Sequence, residues 1–496
     1  MFFSRSVDDD PDVPASRVTS HRPLPPQQLA VRRRLAPPHP RRRRLRPTPV
    51  WWREAAGISV WASLLIVLAL WLSGRGAQNL LSSPADLLTS AGRLTGLFSA
   101  DLLLIQVALM ARIPWVERSY GQDELARRHR LVGFSSFTLL LTHITLITVG
   151  YTLADHNDVF HESWRLLTTY AGMLLALAAT LALTLVALTS VRLARRRLRY
   201  ESWHLLHLYA YLGVGLSIPH ELWTGADFLA SPLARLYCWS AYLTVAGAVV
   251  VFRLGLPLWR TVRHGITVTS VIRESPDVVT VHLGGRGLHR LPVRAGQFFI
   301  WRFLDGPGWS RGNPYSVSAA PRHDRVQITA KDLGDGSNRL SRLRPGTRVL
   351  LEGPYGRLTG EHRTTTKVAM LACGIGITPM RALLEDLDYP AGDATLIYRA
   401  RHDRDLVFRA ELDTLARRRG VTVHLLTGPR RTDRASWLPA TSTQRSDAEA
   451  LRTLLPDLSR TEVFLCGPDR WMDAVALACA VAGLPKEQLH QERFTW

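Results

Sequence analysis

The sequence has few cysteines and almost no lysine. Its 496 residues include four cysteines, which is too few for a disulfide scaffold. No two of them form a C-x-x-C pair, so neither a zinc site nor an iron–sulfur cluster is expected. Lysine provides three of the 62 basic residues. The net charge of +21 is therefore almost entirely arginine charge.

Residues 1–50 lack both a core-forming apolar segment and a secretory signal. They are proline-rich and carry two arginine runs, which is typical of a disordered tail. The short apolar stretch and small-residue cleavage site of a signal peptide are missing. Arginine runs can indicate nucleic acid, but Trp51, Trp52 and an apolar segment follow here. That order favours the cytoplasmic face of a membrane and no nucleic-acid partner.

Six long apolar runs follow the tail. Because ~20 residues are needed to cross a ~30 Å hydrocarbon core, each run predicts a membrane helix. The connections alternate between arginine-rich segments and segments with few basic residues, so both ends of the bundle are expected in the cytoplasm. The sequence therefore predicts a six-helix, multi-pass domain of the cell membrane over residues 51–256, in contact with the lipid bilayer. The runs lie near residues 57–72, 92–112, 131–153, 168–191, 203–222 and 233–252.

Histidines occur at matching depths in the third and fifth predicted spans. His129 and His143 are 14 residues apart, which is ~21 Å along a helix and ~40° from alignment. His207 and His220 are 13 residues apart, or ~20 Å. Because both spans run in the same direction, His129 should face His207 on the inside and His143 should face His220 on the outside. Two facing imidazoles at each of two depths can bind two stacked b-type haems.

The histidine pattern also allows another interpretation. On an ideal helix, 13 residues turn His220 ~140° away from His207, so a kink at Pro219 is needed to bring it round. The alternative is that the histidines cap helices or bond to a neighbouring span. Four histidines at matched depths favour haem ligation. His204, one turn before His207, is predicted to be a bystander.

After residue 252 the sequence changes to short alternating strands. Residues 264–283 predict a hairpin, and three further strands favour a small antiparallel β-barrel over residues 261–360. From Lys367 onward, strands alternate with glycine turns and helices. This predicts a parallel α/β domain over residues 361–496, with its ligand at the strand C-termini.

Two features of the α/β domain suggest phosphate binding. Gly374 and Gly376 would let the backbone approach a pyrophosphate at a helix N-terminus, although an ordinary tight turn is the alternative. Arg399 and Arg401 end the next strand, where an adenosine 2′-phosphate would lie. The alternative for these arginines is a solvated edge. Arg430 and Arg431 are weaker candidates for the same phosphate.

Short motifs occur in a fixed order through the soluble half. In this order they closely resemble the ferredoxin–NADP reductase fold. With a six-span bis-histidine domain in front, residues 55–496 resemble the NADPH oxidase/ferric reductase superfamily. The motifs are N-P-Y-S-V-S-A-A-P at 313–321, Lys331, G-D-G-S at 334–337, G-P-Y-G at 353–356, G-I-G-I-T-P at 374–379, C-G-P at 466–468 and E-R-F at 492–494.

The resemblance implies a flavin site in the barrel. Tyr315 would stack on the flavin ring, and Ser316 would hydrogen-bond its reactive edge. Gly336 and Ser337 would hold the FAD pyrophosphate. Members of the family usually have Arg or His where Asn313 stands, so Arg311 is the nearby candidate for that phosphate contact. The remaining FAD-site positions are Pro314, Val317, Ser318 and Lys331.

The resemblance also implies a nicotinamide site. The phosphates of NADPH or NADH would be held at the first α/β turn, and the nicotinamide would be bordered by the C-G-P motif. An aromatic ring from the C-terminus would cover the flavin until nicotinamide arrives. Phe494 matches the family position, and Trp496 lies two residues further. The other positions carried over are Gly374, Gly376, Thr378, Pro379, Cys466, Gly467 and Pro468.

These parts predict a transmembrane oxidoreductase. Electrons from NAD(P)H would pass through FAD and two haems to an extracytoplasmic acceptor such as O2 or a ferric chelate. A second hypothesis is an electron-transfer subunit that serves a partner protein or quinone. A third is a transporter or sensor with a degenerate flavin module, which is disfavoured because the flavin, nucleotide and haem positions are all filled. No residue identifies the acceptor.

Overall fold

The computed structural model of the chain describes residues 51–191, 194, 197, 200–229, 232–322, 324–332, 335–443 and 446–493. The predicted basic tail lies outside the described residues, as do the terminal Phe494 and Trp496. The described part begins with a helical region and continues into two β-containing regions. This order agrees with the predicted arrangement of a membrane part followed by flavin and nucleotide parts.

The helical region contains nine helices of seven or more residues within the described part of the chain. A π-helical segment, Val249–Gly255, joins α8 to α9 without a break, so the last helix crosses the predicted boundary between residues 256 and 261. The helices are α1 (Trp51–Ser73), α2 (Pro84–Leu109), α3 (Pro114–Tyr120), α4 (Gln122–Asp155), α5 (Val159–Thr169), α6 (Met173–Ser190), α7 (Tyr200–Thr224), α8 (Pro232–Ala248) and α9 (Leu256–His264), with short turns at Gly76–Asn79 and Ala226–Leu229.

Five of these helical stretches are long and apolar enough to cross a membrane. They are Trp51–Ser73, Pro84–Leu109, Gln122–Asp155, Met173–Ser190 and Pro232–His264, and they coincide with five of the six predicted spans. The other predicted span is α7, a helix of 25 residues that carries three histidines and is not among the five. The structure thus supports an integral membrane protein, and a sixth span stays a prediction.

Small residues allow α2 and α4 to approach closely. Ser99 and Ser136 each donate a hydrogen bond to the other's carbonyl, at 2.8 and 2.9 Å. A Cβ placed on Gly92 would lie 2.9 Å from Ile147. Close helix contacts through glycine and serine are typical of membrane bundles. Since α4 carries His129 and His143, this packing fixes one side of the predicted haem sites.

Two three-stranded antiparallel sheets follow the helices. One has the order β1-β2-β5 and the other β4-β3-β6. Single bridges, Thr267 to Arg348 and Val317 to Ile328, connect the sheets at their two edges in place of continuous barrel ladders. The predicted hairpin is confirmed, whereas a closed barrel stays a prediction. The strands are β1 (Thr267–Ser275), β2 (Val278–Gly284), β3 (Phe298–Phe303), β4 (Asn313–Ser316), β5 (Arg325–Lys331) and β6 (Val349–Tyr355).

The C-terminal region is a five-stranded parallel sheet with helices between its strands. Its order is β11-β10-β7-β8-β9, and every neighbouring pair is parallel. The central strands are buried on both faces, which explains their nearly continuous apolar sequences. The predicted α/β domain is therefore confirmed as a parallel sheet. Its elements are β7 (Lys367–Cys373), α10 (Ile377–Asp386), β8 (Ala394–Ala400), α11 (Arg409–Arg419), β9 (Thr422–Thr427), α12 (Asp447–Leu454), β10 (Thr461–Cys466), α13 (Asp469–Ala482) and β11 (Leu489–Gln491).

Candidate functional site

One cavity connects the helical region with the first β-region. Its volume is about 3180 Å³, and it is bordered by α2, α4, α6 and α7 on one side and by β3 and β4 on the other. The four predicted haem ligands line it, as do Tyr315 and Ser337 of the predicted flavin site. The structure thus places both groups of predicted residues along one continuous space.

The four histidines form two facing pairs across this cavity. The ring centres of His129 and His207 are 5.9 Å apart, and those of His143 and His220 are 6.5 Å apart. A metal ion held by two imidazole nitrogens at ~2 Å each leaves the ring centres about 6 Å apart. Both pairs therefore have the spacing that ligation of one metal between two rings requires.

Each histidine has a partner at its Nδ1 atom. Nδ1 of His129 lies 3.2 Å from the carbonyl oxygen of Gln106, and Nδ1 of His143 lies 2.8 Å from that of Gly92. A carbonyl can only accept, so both Nδ1 atoms carry the proton. This leaves Nε2 of both rings as the free electron pair for a metal.

The partners on α7 are hydroxyl groups. Nδ1 of His207 lies 3.3 Å from Oγ of Ser190, and Nδ1 of His220 lies 2.9 Å from Oγ1 of Thr224. The Thr224 hydroxyl donates its own proton to the carbonyl oxygen of His220, at 2.7 Å. It can therefore only accept from Nδ1, and Nε2 of His220 also keeps its free electron pair.

Backbone packing brings His220 opposite His143. Pro219 lies inside α7 and cannot donate a hydrogen bond to the preceding turn. Gly172, at φ +82°, packs so closely that an added Cβ would lie 2.9 Å from the His220 amide nitrogen. On the other side, a Cβ on Gly96 would lie 2.5 Å from Nδ1 of His143. The residues present thus fit two b-type haems, each of which would supply one-electron chemistry between its ligands.

His204 occupies a different position from the four paired histidines. It lines the cavity and interacts electrostatically with Arg253, Arg302 and Glu352. Arg302 and Glu352 belong to β3 and β6, so this histidine faces the first β-region. The prediction that His204 is a bystander to haem ligation is compatible with this position.

The predicted flavin residues divide into cavity-lining and core positions. Asn313, Pro314 and Tyr315 line the cavity, and the Trp301 indole donates to the Tyr315 carbonyl oxygen at 3.0 Å. Burial raises the pKa of the Tyr315 phenol, which keeps it neutral. Val317 and Ser318 are fully buried in the core. The predicted flavin-site residues that line the cavity are Arg311, Asn313, Pro314, Tyr315, Lys331 and Ser337.

Several predicted flavin-site side chains already have partners within the fold. Ser316 is buried, with 5% of its surface exposed. Lys331 pairs with Asp277 at 3.0 Å, and the Ser337 hydroxyl lies 3.2 Å from Asp332. Gly336 lies in the short helical turn Asp335–Asn338 beside Ser337.

The glycine turn after β7 lies against the C-G-P motif. Gly374 has φ +57°, which favours glycine, and a Cβ on Gly376 would lie 2.3 Å from the carbonyl oxygen of Cys466. A Cβ on Gly467 would in turn lie 2.9 Å from the Cβ atom of Cys373. The two motifs are thus adjacent at the C-terminal edge of the parallel sheet, as the nicotinamide-site prediction requires.

Among the neighbouring motif residues, Thr378, Pro379 and Cys466 are buried, whereas Pro468 is exposed. Thr378 and Pro379 lie in the first turn of α10, and the Thr378 hydroxyl donates to the Ile375 carbonyl oxygen at 3.0 Å. Pro468 precedes α13 as its N-cap residue. Burial raises the pKa of the Cys466 thiol well above its usual range, so this thiol stays neutral.

The two arginines after the nucleotide turn differ in their surroundings. Arg399 is 6% exposed, and its guanidinium donates to the carbonyl oxygens of Gly428 and Pro429 at 2.8 and 3.1 Å. Arg401 is exposed on the same strand end. The structure therefore gives Arg399 a role in holding the turn after β9, and the 2′-phosphate prediction rests on Arg401.

The sequence did not indicate a buried charge cluster where the helical region meets the first β-region. Arg112 bonds to Glu117 at 3.0 Å and lies 3.8 Å from Glu352, while Arg302 lies 3.2 Å from Glu352. Burial raises the pKa of Glu352, but Arg112 and Arg302 outweigh it and hold the pKa below its ordinary value. The Tyr355 hydroxyl adds a bond of 2.9 Å. No local sequence pattern marks these residues.

Two family descriptions match the chain. "Ferric reductase like transmembrane component" matches residues 95–218, and "Oxidoreductase NAD-binding domain" matches residues 370–476. The first range contains all the paired histidines except His220. The second contains the glycine turn and the C-G-P motif.

Characterised relatives match part of the chain. Ferredoxin–NADP reductase B of Sorangium cellulosum is 31% identical over 202 residues, which cover 38% of this chain and 80% of that protein. The ferredoxin reductase component of 3-ketosteroid-9-alpha-monooxygenase from Mycolicibacterium smegmatis is 31% identical, over 46% of this chain and 65% of that protein. The glycine betaine monooxygenase reductase subunit of Chromohalobacter salexigens is 30% identical, over 48% and 65%. This chain thus spans just under two thirds of the last two.

Proposed function

We propose that this chain, which belongs to the ferredoxin–NADP reductase family, moves electrons across the cell membrane. Its reductase part is fused to a ferric reductase-like transmembrane component, as in the NADPH oxidase/ferric reductase superfamily. The electrons come from NAD(P)H and pass through FAD and two b-type haems. The acceptor is extracytoplasmic, such as O2 or a ferric chelate.

One observation carries this proposal. The two histidine pairs and the flavin-site residue Tyr315 line the same cavity. His207 of the inner pair lies one helical turn from His204, which interacts with Arg302 and Glu352 of the first β-region, and the outer pair, His143 and His220, lies further along α4 and α7. Carriers held at these positions would form a series from one side of the bundle to the other.

The residues of the chain have separate tasks in this route. Gln106, Gly92, Ser190 and Thr224 orient the four imidazoles through Nδ1. Tyr315 provides a neutral aromatic surface for the flavin. When bound, the flavin supplies the conversion of two-electron to one-electron transfer, and the haems supply one-electron transfer. Gly374 and Gly376 leave room for the nicotinamide cofactor beside Cys466.

The orientation of the chain follows from its arginine-rich connections. The segments near residues 117–130 and 192–199 carry most of the basic residues between the predicted spans, so they belong on the cytoplasmic side. The FAD and NAD(P) regions then lie in the cytoplasm with the N-terminus. The outer end of the cavity, lined by Arg93, Tyr151 and Tyr170, faces the extracytoplasmic side.

The names of the relatives favour a second candidate. Two of them are called a reductase component and a reductase subunit of monooxygenases. This chain could in the same way be an electron-transfer subunit that delivers electrons to a partner protein or quinone. The residues at the outer end of the cavity do not distinguish such an acceptor from O2 or a ferric chelate.

Cofactor content and electron flow test the proposal. The purified full-length protein should contain one FAD and two low-spin b-type haems, and anaerobic NADPH should reduce flavin and then haem in a stopped-flow experiment. His143→Ala should lose one haem and keep flavin reduction, whereas His204→Ala should keep both haems. A wild-type protein without haem, or with one haem per chain, would contradict the assignment. Reoxidation by O2, ferric chelates or quinones would then identify the acceptor.

A further inference from the structure

Asp101 is a buried acid in the membrane bundle that the proposed electron route does not use. It lies on α2 and is 6% exposed. The Ser63 hydroxyl of α1 donates to its Oδ1 at 2.5 Å, and the Tyr237 hydroxyl of α8 lies 3.4 Å from the same oxygen. Its other oxygen, Oδ2, is buried and has no hydrogen-bond partner in the described part of the chain.

The depth of Asp101 is midway between the two histidine pairs. Gly96, five residues earlier on α2, packs against His143, and Gln106, five residues later, accepts from His129. Five residues correspond to ~7.5 Å along a helix and a turn of ~140°. Asp101 therefore lies at the level between the pairs but points away from them, toward α1 and α8.

The described residues provide no fixed cation that would compensate a charge on Asp101. Its titratable neighbours are Tyr237, Cys238 and Tyr242 on α8, and Glu221 on α7 acts on Cys238 and Tyr242. Among the described residues, no arginine or lysine pairs with it. An ionised carboxylate at such a depth is costly, and intramembrane acids of this kind commonly carry protons.

The local charge changes during the proposed electron transfer. An oxidised haem carries one more positive charge than a reduced one, and in the membrane interior this difference is poorly screened. A nearby carboxylate is therefore more stable when the haems are oxidised, and a carboxylic acid is more stable when they are reduced. The unpartnered Oδ2 atom provides a place for the added proton, because Oδ1 already accepts hydrogen bonds.

We propose that Asp101 is a proton-binding site coupled to electron transfer through the bundle. The electron comes from NAD(P)H by way of the flavin, and Asp101 takes up one proton from water as the electron arrives and releases it as the electron leaves. The carboxylate becomes a carboxylic acid, and no other bond forms or breaks. This inference rests on the proposed function, because it requires haem at the histidine pairs.

Redox titration at several pH values tests the inference. The full-length protein, loaded with haem and FAD in lipid nanodiscs, would be titrated optically. One proton per electron changes the reduction constant tenfold per pH unit, which is 59 mV for one electron. We expect the wild-type haem potentials to fall as the pH rises, with a slope that approaches this limit per pH unit. In Asp101→Asn the slope of haem potential against pH should be at most half as steep. Asp86→Asn, an exposed acid on the same helix, is the matched control and should keep the slope.

A second variant keeps the test decisive if Asp101→Asn does not fold. Ser63→Ala removes a hydrogen bond to the carboxylate while retaining the acid, so the pH range over which the potential falls should move upward. The reduced-minus-oxidised infrared spectrum should also show a carboxylic acid band that Asp101→Asn lacks. If Asp101→Asn does not change the slope of haem potential against pH, or Ser63→Ala does not move the pH range over which the potential falls, the inference is wrong. The proposed function is unaffected by either result as long as the protein binds two haems. A protein that binds no haem would instead contradict the proposed function.

Discussion

Arg399 and Arg401 are two residues apart and have different physical roles. A sequence pattern treats them as one phosphate-binding pair, because it cannot show that the carbonyl oxygens of Gly428 and Pro429 approach Arg399. These carbonyls belong to a turn almost 30 residues later in the chain. The residue type was therefore informative, but the assignment of each side chain required the three-dimensional contacts.

Replacement of these two arginines should separate cofactor choice from stability. Arg401→Ala should raise the KM for NADPH at least tenfold and leave that for NADH nearly unchanged, since a charge-assisted contact to a phosphate is worth ~1.5–3 kcal/mol. Arg399→Ala should lower the melting temperature, because it removes the hydrogen bonds that hold the partly buried carbonyl oxygens of Gly428 and Pro429. Steady-state kinetics with both cofactors measures the first effect. Equal wild-type use of NADPH and NADH would exclude the 2′-phosphate contact.

Gly96 allows a test of the outer histidine pair without a change to any ligand. In Gly96→Ala the new Cβ would lie 2.5 Å from Nδ1 of His143, so the ring must move away from the position in which Nδ1 donates to the Gly92 carbonyl oxygen. We expect loss of the outer haem and retention of the inner one. Gly215→Ala is the matched control, because nothing lies within 4 Å of its Cβ. The haem-to-protein ratio of the two variants is the measurement, and a ratio of two in Gly96→Ala would contradict the prediction.

At the scale of elements, the sequence predicted most helices and strands but not all their ends. The third apolar run begins near residue 131, whereas α4 begins at Gln122. Its first turns contain Asp123, Glu124 and several arginines, which a hydropathy pattern reads as a loop. These residues lie beyond the hydrophobic part of the bundle, so helix formation there does not require apolar side chains.

The partners of α7 illustrate a second limit of sequence reasoning. The depth of its histidines was predictable from spacing and direction alone, because a helix has a fixed rise. The direction in which His220 faces was not, since it depends on Pro219 and on contact with Gly172 from the connection between α5 and α6. Asp101 is similar: the sequence shows an acid within an apolar run, but its partners Ser63 and Tyr237 come from two other helices.

At the scale of the whole molecule, a buried charge cluster joins the helical region to the first β-region. Arg112 lies between Glu117 of α3 and Glu352 of β6 and stacks 4.4 Å from the Tyr355 ring centre. In addition, Arg357 donates to the Tyr120 carbonyl oxygen at 3.4 Å. These contacts hold the first β-region, with the predicted flavin site, against the bundle that carries the inner histidine pair.

Loss of the central arginine should weaken this junction strongly. Arg112→Met leaves the buried Glu117 carboxylate without its ion-pair partner and leaves Glu352 paired with Arg302, and breaking a buried pair typically costs ~3–5 kcal/mol. We expect a lower melting temperature and slower reduction of haem by reduced flavin, with hydride transfer from NADPH to flavin unaffected. Lys367→Met is the control, because its pair with Asp457 lies on the surface and such pairs contribute ~0–1 kcal/mol. Equal melting temperatures for the two variants would mean that the cluster does not stabilise the junction.

Glu492 lies where all three regions meet. Its carboxylate accepts from the Leu358 amide at 3.3 Å, and a Cβ on Gly356 would lie 2.6 Å from it. Burial, with a smaller contribution from Asp123 at the start of α4, raises the pKa of Glu492 from 4.5 to about 8. The folded protein therefore keeps a proton on this group over a pH range in which the unfolded chain has lost it.

This shift predicts how the stability of the junction depends on pH. As the pH rises from 4.5 toward about 8, the unfolded chain releases the Glu492 proton and the folded protein retains it, so the free energy of unfolding falls. Glu492→Gln removes this contribution while it keeps the shape of the neutral acid. The difference in melting temperature between variant and wild type should therefore be small near pH 4.5, increase toward pH 8 and then become constant. Since other groups titrate equally in both proteins, a difference that does not vary with pH would show that Glu492 is ionised in the folded protein.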